Sequence, residues 1–343
     1  MSGLYQMYRS IFKVDEIPYC VWGYDLKARN LEHLKSYDHQ YFKYVAELHI
    51  TQLDGDNKQL AAMALRKEYH HALETLFSLL CSVIQAPACV YGWVLKCTSG
   101  QLKKLVKDIS IGHPGIFNQY GWDSVTWDKL SHRIHAHSNR DSQRAHETGE
   151  QFAKLWRGFA DDFLSQDNLD EYNSIKHGFR VRSGGVTLLA GLEEEPGVPA
   201  PPENMELIGH GEFGSSFLRA ESVGNLPGKQ RNPNFRGRWL SLTWNPLAMT
   251  AGLILISMSI ENTLSFLRIV NGEPPQTVRF IRPPENEQFS LPWQDSPVVS
   301  KLSIDYIIDE AEIQTFTVEE INEIISQLFK QQDEQSPEGG TSE

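Results

Sequence analysis

The chain has 343 residues, enough for one large domain or two of ordinary size, and a hydrophobic share of 40% that excludes a wholly disordered protein. Its 32 basic and 44 acidic side chains give a formal charge of −12, which taken whole argues against a nucleic-acid binder. The distribution removes that exclusion: residues 1–182 hold 22 basic and 21 acidic residues, 183–282 hold 8 and 9, and 283–343 hold 2 and 14. The body is electrically neutral and the acidity belongs to the last stretch, so neither phosphate nor acidic ligands are excluded.

The opening MSGLYQMYRSIFKVDE has no apolar run of signal-peptide length. The first half reads as helices. Leu31, Leu34, Tyr41, Val45 and Leu48 recur at helical spacing over about 30–51, and Gly55 among Asp54, Asp56 and Asn57 marks a break. A long helix is predicted over 58–85, with a broad stripe from Leu65 through Tyr69, Leu73, Leu76, Phe77 and Leu80 to Ile84. Pro87 ends it, because proline disfavours helical backbone at the preceding residue. On that helix Arg66, His70 and Glu74 fall at i, i+4 and i+8 and read as a solvent-side row. Further helices are expected over 99–110, 123–138, 143–165 and 168–181, with Ser99, Asp123 and Asn168 as caps. Cys20, Cys81, Cys89 and Cys97 form no C-x-x-C pair, which fits a reduced cytoplasmic protein with buried thiols and no cysteine-held metal.

Composition changes at Ser183. Short apolar runs, Val186–Leu189 and Phe213–Leu218, alternate with Gly and Pro and predict strands with long connections. Leu247 to Ile260 is the most apolar stretch; about 20 residues are needed to span a membrane, so it reads as a buried helix over 246–270 opening on Pro246, and no membrane role is expected. Residues 302–314 suggest a strand and 317–331 an amphipathic helix. The fold class is therefore α+β, mainly α: a helical bundle with a β-rich insertion and an acidic C-terminal tail. The expected divisions are a helical domain 1–182, an insertion 183–245, a helix 246–271 returning to the helical core, an extended segment with an amphipathic helix 272–331, and a disordered tail 332–343. The acidic stretch beyond about residue 283 reads as detachable. Two domains meeting near residue 183 are the alternative.

Four groups of residues carry chemistry worth testing. Gly209-His-Gly-Glu-Phe-Gly214 matches G-x-G-x-x-G, but Ser215 onward looks like a strand rather than a helix, so a glycine-bearing hairpin is expected. His132, His135 and His137 lack the spacing of a zinc site and read as surface helix. The loop Lys229 to Arg238 carries Lys229, Arg231, Arg236 and Arg238 around Phe235 and no acid; guanidinium groups bind phosphate and the ring can stack on a base, so it is a candidate nucleic-acid contact. At helical spacing Asn173, Lys176, His177 and Arg180 form one polar stripe, anchored by Leu169, Tyr172, Ile175 and Phe179, in which an imidazole beside two cations could act as a general base near a phosphate.

The helical body ending in Asn173-Ser-Ile-Lys-His-Gly178 resembles HEPN-like bundles over residues 30–182 and 246–270. The resemblance implies a helical domain, often a metal-independent ribonuclease of a bacterial toxin or defence system, whose signature is an arginine followed four to six residues later by a histidine. Arg66…His71 and Arg140…His146 have that spacing, while Asn173…His177 carries asparagine in the arginine position. Three functions follow as expectations. The first is a cytoplasmic helical binding or regulatory protein. The second is a HEPN-like ribonuclease in which His177, or His71 or His146, assists attack of a ribose hydroxyl while Lys176 and Arg180 offset charge. The third is a non-catalytic nucleic-acid binder using the 229–238 loop. No cofactor and no metal is expected; RNA, a protein partner or a second copy of the chain is the anticipated partner.

Overall fold

The computed structural model of the chain describes residues 7–139, 141–193, 195–224, 232–294, 299–304 and 313–335. It is 53% helical and 16% strand, an α+β architecture dominated by helices. Chain order begins with a feature absent from the sequence reading, an antiparallel hairpin of β1 (Tyr8–Val14) and β2 (Ile17–Gly23). Its two-residue turn holds Asp15 at φ 55°, a conformation that aspartate adopts more readily than most residues, so no glycine marks it. The turn is clamped from inside. Gln85 Oε1 accepts from the Asp15 amide at 2.8 Å and from Trp93 Nε1 at 3.1 Å, while Gln85 Nε2 donates to the Asp15 and Phe117 carbonyls.

The helix expected over 30–51 is two helices, α1 (Leu26–Lys35) and α2 (Tyr41–Ile50). Asp38 turns the chain between them: its carboxylate accepts from the Gln40 amide and its carbonyl from the Tyr41 amide. The long α3 (Lys58–Gln85) ends where Pro87 predicted. A short α4 (Val90–Lys96) follows; seven residues are too few to display a period. Then come α5 (Ser99–Ser110), α6 (Trp127–His135), α7 (Ser142–Leu164) and α8 (Gln166–Lys176). Their caps are Thr98, Thr126, Asp141 and Ser165, not the expected Ser99, Asp123 and Asn168. At Thr98 the cap is reciprocal with Gln101, which satisfies two free donors together.

The β region forms two sheets. β3 (Arg182–Ser183), β6 (Gly214–Ser222), β7 (Phe235–Thr243) and β8 (Lys301–Ile304) build a four-stranded antiparallel sheet in the order β3-β6-β7-β8, while β4 (Thr187–Ala190) pairs with β5 (Glu206–His210). The sheet is two-faced. Ser215, Phe217, Leu240 and Leu242 are buried on one face, and Phe217 and the two leucines enter the same core as α3; Leu218 and Trp239 are exposed on the other. The glycines of residues 209–214 link the two sheets instead of closing a hairpin. A β-carbon on Gly211 would lie 1.9 Å from Thr243 Cγ2, and one on Gly214 would lie 2.2 Å from the Leu242 carbonyl oxygen. Close backbone packing, not phosphate, accounts for them.

The last large helix is α9 (Pro246–Val270), capped by Asn245 with proline in its first turn. By length and hydropathy it could cross a membrane, yet 67% of its most apolar window is buried inside the protein, where it packs on α3, α2 and α6. The stretch beyond about residue 283, expected to be detachable, is packed on the body through Phe289 and Trp293, and residues 279–281 before it are packed as well. Asn262 exchanges two hydrogen bonds with the backbone of Ile281, Ser265 donates to the Arg279 carbonyl, Phe289 packs edge-on against Phe152, and Trp293 lies on Phe159. β8 then completes the sheet, and α10 (Val318–Gln335) forms over the predicted amphipathic stretch. Residues 336–343 of the expected tail lie outside the described residues.

Gln85 joins the hairpin turn, α4 and the 113–122 loop to the end of α3. Replacing it with leucine strands the Asp15 amide and the Trp93 indole N–H, and an expected loss of about 2–4 kcal/mol would show as a lower urea midpoint. A change below about 1 kcal/mol would mean that other contacts hold these groups.

Candidate functional site

The row Arg66, His70 and Glu74 does not face solvent. It meets α8 along a polar seam, so the reading of these residues as exposed helix pairs is corrected. Arg66 is 4% exposed and Glu171 fully buried; Arg66 Nε and Nη2 approach Glu171 Oε2 at 2.8 and 2.7 Å. The other carboxylate oxygen accepts from Ser215 Oγ at 2.5 Å and from Trp244 Nε1 at 3.1 Å. Arg66 also donates to Asn168 Oδ1, reaches Met249 Sδ and lies over the Trp244 ring. One residue pair thus ties α3, α8, β6 and the β7–α9 junction together.

Burial alone would push the Glu171 carboxyl up, but the Arg66 guanidinium and its other donors hold it down to about 2, so it is ionised. Burial lowers His70 to about 4, with Arg66 adding in the same direction. His70 is therefore neutral, 3.5 Å from Glu171 and ring-to-ring with Tyr172. Further along the seam Glu74 takes Lys176 Nζ at 3.5 Å and Tyr172 Oη at 3.4 Å.

Above Arg66 a cleft of about 310 Å³ opens where the start of α9, the α7–α8 junction, the end of β7 and the chain near Trp293 converge. Asp162 lines it and accepts from Tyr69 Oη at 2.6 Å and Trp293 Nε1 at 3.3 Å; burial raises its carboxyl, which the Tyr69 bond partly offsets. Asp167 and Lys301 face each other there at 2.5 Å. Thr243 lines this cleft and a neighbouring one of about 410 Å³, and its buried hydroxyl has no hydrogen-bond partner among the described residues. Trp244 and Trp293 supply flat apolar surface. These groups suit recognition of a hydroxyl- or amine-bearing molecule, and among the described residues no histidine or cysteine lines the cleft.

The residues singled out from sequence fall elsewhere. α8 ends at Lys176, His177 is its C-cap, and Gly178 and Phe179 take positive φ, so the helical stripe Asn173–Lys176–His177–Arg180 is cut before Arg180. Lys176, His177 and Arg180 are exposed, Asn173 is half-buried, and Phe179, expected in the core, is 53% exposed. In the basic loop, Lys229 and Arg231 lie outside the described residues; Phe235 is exposed at the start of β7, and Arg236 and Arg238 pair with Glu221 at 3.4 and 3.3 Å. Of the arginine–histidine spacings, Arg66 is sequestered by Glu171 while His71 pairs with Glu68 on α3 itself; Arg140 lies outside the described residues and His146 is exposed beside His132. The surface reading of the histidine trio is corrected for His135. It is fully buried against Phe152, bonds the Ser131 carbonyl through Nδ1 and accepts from Asn262 at Nε2, and burial lowers it to about 3. Among the described residues no group of three or more metal-ligating side chains is close enough to hold an ion.

The sequence held a signal for the buried pair. Arg66 lies between Leu65 and Tyr69 inside the apolar stripe, and Glu171 lies four residues before the buried Ile175. The cleft residues Thr243, Trp293 and Lys301 come from segments far apart in the chain and carried none. Compared with protein-family models, with curated proteins and with solved structures, the chain matches none.

Two outcomes test the seam. Arg66→Met leaves Glu171 uncompensated and should cost about 3–5 kcal/mol in urea unfolding, whereas Arg66→Met with Glu171→Leu should recover much of it; equal losses would show the pair to be inert. Acid should also weaken the fold. His70 and His135 bind protons in the unfolded chain below pH 6.5 but not in the folded one until about 4 and about 3, so stability falls as pH drops from 6.5. Each contributes about 2 kcal/mol of loss by pH 5. His135→Phe keeps the stacking on Phe152 and should remove its share of that slope, measured by denaturation at pH 7 and 5.

Proposed function

We propose that the chain is a binding protein that takes a small polar ligand in the cleft above Arg66. The observation that carries the reading is the cleft's lining, the oppositely charged Asp167 and Lys301, two tryptophans and Thr243, whose buried hydroxyl has no hydrogen-bond partner among the described residues. A buried hydroxyl without a partner costs about 1–3 kcal/mol, which a ligand recovers once rotation about χ1 turns the Thr243 hydroxyl into the cleft. A volume of about 310 Å³ is at the lower end for small-molecule sites, matching a monosaccharide, nucleoside or amino acid rather than a polymer. The Arg66–Glu171 pair supports the reading by holding the floor rigid, since both groups are spent on each other and on fixed neighbours.

Thermal unfolding against a panel of monosaccharides, nucleosides and amino acids tests it. At about 100 times its dissociation constant, a true ligand stabilises by about 2.7 kcal/mol, a shift of several degrees. Thr243→Val should stabilise the unliganded chain by about 1 kcal/mol while weakening that shift, and Trp293→Ala should abolish it. A panel without any shift, or a shift that survives both substitutions, sinks the proposal. The ribonuclease reading has a separate test, motivated by Lys176, His177 and Arg180 standing exposed at one helix end: RNA cleavage that persists in chelator and disappears in His177→Ala.

A further inference from the structure

A third cleft, of about 470 Å³, lies between the start of α2 and the middle of α9 and is closed on its third side by residues 279–282. Its charged lining is unequal. Lys43, Arg279 and Arg282, with His39 beside them, face a single lining acid, Glu261, which is 3.4 Å from His39; Lys43 is also 3.6 Å from Glu47 on α2. Of the other arginines in this neutral body some meet carboxylates, Arg66 with Glu171, Arg157 with Asp128, Arg219 with Asp167 and Arg268 with Glu273, while Arg133 lies over the rings of Tyr120 and Phe266. Neither Arg279 nor Arg282 has a carboxylate partner among the described residues. Arg282 is nonetheless held in place by neutral groups. It donates to Thr148 Oγ1 at 3.1 Å, to the Pro283 carbonyl and to Asn286 Oδ1, and it lies over the Phe289 ring at 5.7 Å. Three of its five N–H donors are thereby engaged and its charge is left uncompensated. Arg279 is exposed, and its side chain makes no hydrogen bond or ion pair among the described residues.

Ile254, Met258, Phe280 and Ile281 give this cleft an apolar floor beneath the cations. We propose that it binds a small phosphate monoester, with the phosphate between Arg279, Arg282 and Lys43 and the ester group on the floor. Guanidinium forks match phosphate oxygens two at a time, and a fixed, uncompensated arginine loses little on binding. α2 also opens here, with the Asp38 carboxylate on the Gln40 amide, so the positive end of its dipole is partly met and the arginines carry the site. The cleft's concave form favours a single terminal phosphate over the repeated phosphates of a nucleic-acid backbone.

Calorimetric titration of the full chain with phenyl phosphate and with inorganic phosphate at low salt tests the assignment. Both should bind, phenyl phosphate more tightly, and both should weaken as salt is added. The Arg279 side chain bonds no other described residue, so Arg279→Gln should leave the unfolding midpoint unchanged and lower affinity about tenfold or more, while Arg279→Glu abolishes binding. Unchanged affinity in Arg279→Gln, or no binding to the wild-type chain, overturns the site. Displacement of phenyl phosphate by a single-stranded RNA lacking terminal phosphates overturns the monoester in favour of backbone phosphate.

Discussion

A fully buried carboxylate needs its charge met on every side, and Glu171 organises the molecule because of that requirement. Arg66 takes one oxygen from α3; Ser215 and Trp244 take the other from β6 and from the junction that leads into α9. None of these three donors can move far without stranding an ionised group in a medium where an unpaired charge is costly. The helical body and the sheet are thereby locked in one relative position, and Arg66 becomes a fixed floor. The cleft above it is a consequence: its walls are the four segments that the pair brings together.

The same device recurs at lower charge. Gln85 spends both ends of its amide on the β1–β2 turn, Trp93 and Phe117, and Asn262 holds the Ile281 backbone on one side and His135 on the other. Asn30 and Asn271 bond each other and the Pro87 carbonyl, joining α1, the end of α9 and the turn after α3. Apolar packing of α3 on α9 supplies the bulk of the core, but it is non-directional. The buried amides give direction, fixing which loop lies where. They also surround His70 and His135, which burial keeps neutral, so protonation of either in acid opposes the fold.

Long helices were legible where their apolar period ran for several turns. α3, α5 and α9 have the bounds that spacing predicts, because three or more turns of stripe are hard to mistake and Pro87 and Pro246 punctuate two of them. The β1–β2 hairpin was not legible, since its turn uses Asp15 at positive φ in place of glycine, and α4 is too short to show a period. The polar stripe through His177 failed for a different reason. A helical wheel assumes the helix continues, and Gly178 ends it before Arg180 can join the row.

Residue order by itself determined the helix-dominated class, the buried character of α9, the neutrality of the body and the confinement of acidity to the end of the chain, because each depends on composition or on neighbours within a few turns. The tertiary structure alone decided that Arg66 and His70 turn inward, that residues 279–293 belong to the packed body, and which side chains share a cleft. A charged residue inside an apolar stripe reads the same whether it lies at the rim or meets a partner; only the arrival of Glu171, 105 residues later, distinguishes the two. Thr243, Trp293 and Lys301, like Lys43 and Arg282, become neighbours through contacts between distant elements, and no local pattern encodes such a meeting.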